Sequence, residues 1–192
     1  KARAAAYYHD VGKLKQPDYY TENQQGYNPH DELSPELSTD IIRSHARGGA
    51  EFIKENNLPD FLADVAMEHH GTMPIKYFYA KAKKLTEKNV DIKQFSYFGP
   101  KPRTKISAII MICDASEAKV RTMTDRSFEK VDKAVSEIIE ERMDLEQFTD
   151  CDITFKELDL IRITIVNCLA GVYHSRLKYP KLKIKKNQED ED

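Results

Sequence analysis

The sequence predicts an all-α fold, on three observations. Apolar residues recur at three- and four-residue spacing through most of the 192-residue chain. Helix-start and helix-stop signals bracket those runs: Ser34-Pro35 and Asp60 open helices, and Gly71 and Tyr179-Pro180 close them. No run shows convincing strand alternation, and no segment repeats internally. The periodicity corresponds to about seven helices.

Taken in order, residues 2–11 read as a helix with Gly12 as its C-terminal stop. Residues 16–33 are polar, contain Pro17, Gly26 and Pro29, and form a long loop of the kind that often carries function. Ser34 caps the next helix, Pro35 fills its first turn, and Leu37, Ile41 and Ile42 make its apolar face. Gly48-Gly49 lowers helical propensity beside His45, so a break or a close helix approach is expected there. A segment over 50–56 turns Phe52 and Ile53 inward, and Asp60 caps a helix bearing Leu62, Val65, Ala66, His69 and His70.

Residues 75–87 form a basic amphipathic helix, and 89–103 a connector with Phe95, Tyr97 and Phe98 that could cover a cleft. Residues 104–120 are the most apolar helix. Residues 127–148 place Phe128, Val131, Val135, Ile138, Ile139 and Met143 inward, and 154–177 form the last helix. Residues 1–180 are expected to be one domain, and 181–192, which run from basic to acidic, a mobile tail.

Composition narrows the function classes. Hydrophobic residues make up 40% and charged residues 32%, a globular balance, and the net charge of -2 steers nothing toward nucleic acid. Cys113, Cys151 and Cys168 are widely spaced without a C-x-x-C pair, which argues against a thiolate metal site. Cys113 and Cys168 lie in apolar runs and read as buried free thiols in a reducing compartment. No apolar run approaches the roughly 18 residues that span a bilayer. The chain opens on Lys1-Ala2-Arg3-Ala4-Ala5-Ala6, already helical and without an initiator methionine, which reads as a piece excised from something larger.

The chemistry lies in polar residues set into apolar helices: His9-Asp10, His45, His69-His70 and Asp114. A carboxylate such as Asp114 in an apolar helix must be paired or metal-bound, although a helix cap or a partnership with Arg121 would also serve. His69 and His70 lie about 100° apart around a helix, so both can border one cavity. A lone core histidine is commonly structural, whereas two in succession before a glycine are harder to explain that way. Nitrogen and oxygen donors without sulfur suit iron, manganese or zinc. Two ions about 3.5–4 Å apart and bridged by a carboxylate form a clamp for phosphoester hydrolysis, in which both acidify a shared water. His30 and His174 read as structural or solvated.

These residues, in this order, resemble the signature of the HD-domain metal-dependent phosphohydrolase superfamily, whose fold is an HD-domain helical bundle. His9-Asp10-Val11-Gly12-Lys13, Asn28-Pro29-His30-Asp31 with Leu33-Ser34-Pro35 and Ile41-Ile42, and Glu68-His69-His70-Gly71-Thr72 are similar to the cytoplasmic HD domain of the seven-transmembrane-receptor HD family. The resemblance covers residues 1 to about 175. It implies hydrolysis of cyclic di-AMP to the linear dinucleotide pApA by a hydroxide bridging two metal ions, iron or manganese. His9, Asp10 and Asp114 would hold one ion, Asp10 would bridge, and His45, His69 and His70 would complete the second site. Asp10 and Lys13 are the expected catalytic residues.

Lys13, Arg47, Lys76 and Arg121 lie near the motifs in sequence and could neutralise phosphates, and Tyr77 could stack on a purine, although its helix also reads as ordinary packing. The family carries a further histidine on a helix upstream of the His-Asp pair. None precedes His9 here, so the first metal is expected to be one ligand short. The related cyclic di-GMP phosphodiesterases carry Gly-Tyr-Pro after the paired histidines, where this chain reads Gly71-Thr72-Met73-Pro74. Alternatives are an HD nucleotidase or alarmone hydrolase, a cyclic-dinucleotide sensor with impaired turnover, and a helical interaction domain. The resemblance implies a cytoplasmic domain that reaches a membrane only through an upstream segment. It implies a cyclic dinucleotide as partner, no nucleic-acid polymer, and leaves a homodimer open.

Overall fold

In a computed structural model that describes residues 1–86 and 89–174, with backbone alone at 173 and 174, seven α-helices form. They are α1 Ala2–Tyr8, α2 Pro35–Glu55, α3 Asp60–Glu68, α4 Lys76–Leu85, α5 Lys105–Thr122, α6 Phe128–Asp144 and α7 Phe155–His174. The expected tail over 181–192, the helix end past 174 and the His174 side chain lie outside this description. No described helix is long and apolar enough to cross a membrane.

Local chemistry sets the helix starts. Ser34 accepts a hydrogen bond from Leu37 N at 3.2 Å, with Pro35 in the first turn, and Thr104 Oγ1 accepts from Ser107 N at 3.2 Å. At α3 the cap position falls to Pro59, and Asp60 is instead the first helical residue, where its charge suits the dipole. Gly71 adopts φ +51 just beyond α3, the left-handed turn that ends a helix.

The Gly48-Gly49 pair produces a close approach and no break, so α2 runs uninterrupted for 21 residues. The reason lies in Gly12. It does not terminate α1, which ends at Tyr8; it sits in a 3-10 turn, Val11–Lys15, laid against α2. A Cβ at Gly12 would fall 2.0 Å from His45 O and 2.5 Å from Gly49 N. Backbone therefore meets backbone, and the helical penalty of Gly49 is offset by the contact it permits, whereas Gly48 faces only the Lys15 side chain. The buried stripe of α2 is Pro35, Ser38, Thr39, His45, Ala46, Ala50 and Ile53; Leu37, expected inward, is 48% exposed.

Two apolar cores share one helix. Ala5, Ala50, Ile53, Leu62, Ala63, Val65 and Ala66 join α1, α2 and α3, and Ile110 of α5 packs into them. Ile112 and Val120 of α5 pack with Val131, Val135, Ile138, Ile139, Leu158, Ile165 and Val166 of α6 and α7. That two-sided burial explains why α5 exposes no residue over 105–116 and opens to solvent only beyond, at Glu117, Lys119 and Arg121. Of the cysteines, Cys151 is buried and Cys113 half-buried, whereas Cys168 lies on an exposed face of α7; all three are free.

Residues 16–33 fold into short 3-10 turns at Pro17–Tyr19, Thr21–Asn23 and Pro29–Glu32. The connector after α4 returns to the chain beyond α3: Ile75 N donates to Phe95 O at 2.7 Å and Tyr97 N to Met73 O at 3.0 Å. Arg43 of α2 donates to Gln94 O and Ser96 O and lies 3.8 Å over the Phe98 ring, holding the connector down.

The Gly12 contact yields a direct expectation. Gly12→Ala forces backbone apart, at the upper end of the overpacking range, about 3 kcal/mol. Thermal unfolding should show a midpoint lowered by about 6–12 °C for a chain of this size. A midpoint within about 2 °C of the parent would contradict the contact.

Candidate metal centre

Four elements converge on one point. His9 caps the C-terminus of α1, and Asp10 opens the 3-10 turn that Gly12 presses onto α2. His45 faces that turn from the middle of α2. His69 and His70 come from the end of α3, and Asp114 from α5.

Three of the histidines are oriented identically. Nδ1 of His9 lies 2.8 Å from Ala6 O, that of His45 2.5 Å from Ile42 O, and that of His69 2.8 Å from Ala66 O. Each Nδ1–H thus donates to the carbonyl three residues back in its own helix, which leaves Nε2 pointing at the centre. The Nε2 atoms of His45 and His69 stand 3.3 Å apart. The His70 ring lies 4.0 Å from that of His69 and 5.0 Å from that of His45, centroid to centroid.

Asp10 divides its carboxylate between two sets of donors. Oδ1 lies 3.4 Å from His45 Nε2 and 3.5 Å from His69 Nε2. Oδ2 lies 3.3 Å from His9 Nε2 and 2.7 Å from Lys13 Nζ. His9 Nε2 is also 3.8 Å from Asp114 Oδ1. Donor atoms of Asp10, His45, His69 and His70 all fall within 4.8 Å of one another, as do those of His9, Asp10 and Asp114. Yet His9 Nε2 and Asp10 Oδ1 are buried with no hydrogen bond of good geometry. Neutral imidazole Nε2 atoms and carboxylate oxygens are all acceptors, and turned on one another they are costly unless a proton or a cation lies between them. The donor set fits two divalent ions sharing Asp10.

Electrostatics agree. Burial disfavours a charged His9, but Asp10 and Asp114 outweigh it and push its pKa up to about 10. Burial and the neighbouring His69 push His45 down to about 4, and burial carries His70 well below its usual value. Burial opposes the charge on Asp10 and Asp114, but their histidine neighbours hold both carboxyls below the ordinary range. One half of the site thus draws in positive charge, while His45 and His70 favour their neutral forms. Asp114 is not sealed in the apolar helix as its sequence context suggested; its side chain is 28% exposed and opens onto the cleft.

The cleft over the site encloses about 520 Å³. Lys13 reaches it through Asp10 and also pairs with Glu22 at 2.7 Å, and Arg121 lines the far wall, 3.8 Å from Glu117. Tyr19, Tyr20, Glu22, Tyr97 and Glu117 also line it. Of these, Tyr97 is the one the sequence flagged, through the connector; it stacks on His70 at 4.2 Å with rings 21° apart. Glu22 and Tyr20 sit in the polar loop, with no local pattern to mark them. Arg47 is exposed on α2 and does not line the cleft. Lys76 pairs with Glu141 across a separate groove, and Tyr77 is 64% exposed on α4. His30 is buried, 3.0 Å from Tyr19 O and against Phe78, a structural setting.

In the chelated, metal-free chain these shifts fix a pH profile. His45 binds its proton less readily folded than unfolded, so stability rises from about pH 4 to 6.5. His9 binds its proton more tightly folded, so its contribution is complete below pH 6.5 and is lost as pH climbs toward about 10. Urea unfolding should therefore show maximal stability near pH 6.5, and His9→Gln should abolish the decline between about pH 6.5 and 8.5.

Comparison with known proteins places this geometry. A family profile described as HD domain matches residues 1–119. Over 181 residues the chain is 49% identical to the cyclic-di-AMP phosphodiesterase PgpH of Listeria monocytogenes, a match covering 93% of this chain and 25% of that protein. It is 46% identical to PgpH of Bacillus subtilis, covering 94% of this chain and again 25% of the relative. The chain therefore spans about a quarter of the curated relatives it matches. The crystal structure of the L. monocytogenes PgpH HD domain superposes with a TM-score of 0.84 at 48% identity, covering 90% of this chain and 81% of that one. The same domain in complex with cyclic di-AMP gives 0.87 at 47% identity, covering 93% and 82%. The ordered histidines and aspartates, the helical bundle that gathers them and these likenesses lead to one assignment: the chain belongs to the HD domain family.

Proposed function

We propose that this chain is a metal-dependent phosphodiesterase domain that hydrolyses cyclic di-AMP to the linear dinucleotide pApA. The observation that carries the reading is the division of Asp10, with Oδ1 toward His45 and His69 and Oδ2 toward His9. The name of the relatives and the cyclic di-AMP complex of the Listeria domain supply the substrate. The chain also lacks the Gly-Tyr-Pro that marks the cyclic di-GMP enzymes, reading Gly71-Thr72-Met73-Pro74.

In this reading His9, Asp10 and Asp114 hold one ion, and Asp10, His45, His69 and His70 the other. The oxygen and nitrogen donors favour iron or manganese. When bound, such ions supply Lewis acidity to the phosphoryl group and lower the pKa of water.

The chain's own residues do the rest. The backbone carbonyls of Ala6, Ile42 and Ala66 hold His9, His45 and His69 in the tautomer that offers Nε2. Lys13 fixes Asp10 through its 2.7 Å contact with Oδ2 and adds positive charge beside an incoming phosphate. Arg121 extends that charge along the cleft wall. Tyr97 covers the outer face of His70 and keeps water from that side of the ring. We further propose that the domain belongs to a longer membrane-anchored protein and lies in the cytoplasm, where its three free cysteines stay reduced.

Incubation of the manganese-loaded chain with cyclic di-AMP should yield pApA, separable by ion-exchange chromatography. Asp10→Ala should lower turnover by about 10²–10⁴-fold, the scale for losing a positioned catalytic group. Absence of pApA from the loaded parent would refute the assignment.

A further inference from the structure

Two hydrogen-bonded clamps bracket the paired histidines, and neither lines the cleft. On the N-terminal side is Glu68, the last residue of α3, 1% exposed. Its Oε2 accepts from Arg103 N at 3.1 Å and its Oε1 from Arg103 Nε at 2.6 Å. Arg103 also reaches Asp64 Oδ1, one turn earlier on α3, at 3.3 Å. Arg103 immediately precedes Thr104, the cap of α5, so this clamp ties the end of α3 to the helix that carries Asp114.

On the C-terminal side is Gln147, also 1% exposed, in the turn after α6. Its Oε1 accepts from Thr72 N at 2.9 Å, and its Nε2 donates to Thr72 Oγ1 at 2.9 Å and to Leu145 O at 2.7 Å. Gly71 makes room for it: a Cβ there would lie 2.3 Å from Gln147 Oε1. Only His69, His70 and Gly71 lie between the two clamped residues.

A buried carboxylate and a buried amide are poor ways to gain stability alone, since well-packed apolar residues serve as well or better. What they provide is direction, because each bond fixes an atom and not merely a volume. We propose that Arg103 and Gln147 are positioning residues for the His69–His70 pair, holding that turn in the register its imidazoles need to share an ion with Asp10 and His45. This rests on the metal-binding reading above. Neither residue touches the reacting atoms. Each acts through the three-residue turn it pins.

The test uses Mn²⁺ alone, titrated calorimetrically into metal-free chain, with bound metal counted after dialysis. The parent should bind two ions. Arg103→Ala and Gln147→Leu should each weaken one of them by about 10–100-fold, the loss typical when support of a metal ligand is removed, and leave the other within about 2-fold. Arg103→Lys, which keeps one cationic donor for Glu68, should recover part of that loss. Arg103 is 56% exposed in its side chain, so its variants keep the question open to measurement if Gln147→Leu does not fold. Val166→Ala, in the remote core of α5, α6 and α7, serves as a stability control and should lower the melting temperature without changing either affinity. Parent-like binding of both ions by the folded clamp variants overturns the proposal, and so does an equal loss in the control. A parent chain that binds no Mn²⁺ overturns the metal reading itself, and this proposal with it.

Discussion

Asp10 faces two ways, and the rest of the molecule is arranged so that it can. Its carboxylate oxygens look at different imidazole nitrogens, and one oxygen is buried without a hydrogen-bond donor. Lone pairs gathered in this way repel one another unless positive charge lies among them. In the bare chain a proton on His9 and the ammonium of Lys13 partly meet that need. The strain of converging acceptors is borne by ordinary means: helix carbonyls that orient imidazoles, and glycines that let backbones touch.

Those means explain details that would otherwise look arbitrary. Two glycines in mid-helix weaken α2 by about 1 kcal/mol each relative to alanine. Gly49 is kept in the helix because the Gly12 backbone lies against it and against His45 O, which lets Asp10 stand opposite the His45 ring; Gly48 meets only the Lys15 side chain. The left-handed Gly71 ends α3 at the point where His70 can turn toward Tyr97. Both sites of backbone permissiveness therefore border a metal-binding candidate, and neither is at the edge of the fold.

Much of this was legible in the residues. Helix positions followed from apolar spacing and from Ser34-Pro35, because burial and capping are local in sequence. The six candidate ligands stood out as polar groups in apolar runs, and the fold does bring them together. What escaped the sequence was whatever depends on contacts between distant segments. Lys76 and Tyr77 stand close to His70 in sequence, but α4 carries them away from the cleft. Glu22 and Tyr20 enter it from a loop with no periodicity, and Tyr97 enters through a backbone bond to Met73. Gly12 read as a helix stop because the signal is the same residue; the approach it permits belongs to the tertiary structure. Cys168 read as buried from its apolar run, yet it lies exposed on α7.

The sharing of α5 between two apolar cores has a consequence for how the molecule opens. Ile110 belongs to the assembly of α1, α2 and α3, and Ile112 and Val120 to that of α6 and α7. Neither half can come apart without exposing a side of this helix, so the two cannot behave as independent foldons. Asp114 rides on the shared element. Complete opening of either half therefore takes the Asp114 helix with it, so the centre is lost in the same event as the fold, whereas a destabilised chain that stays folded keeps the carboxylate in place.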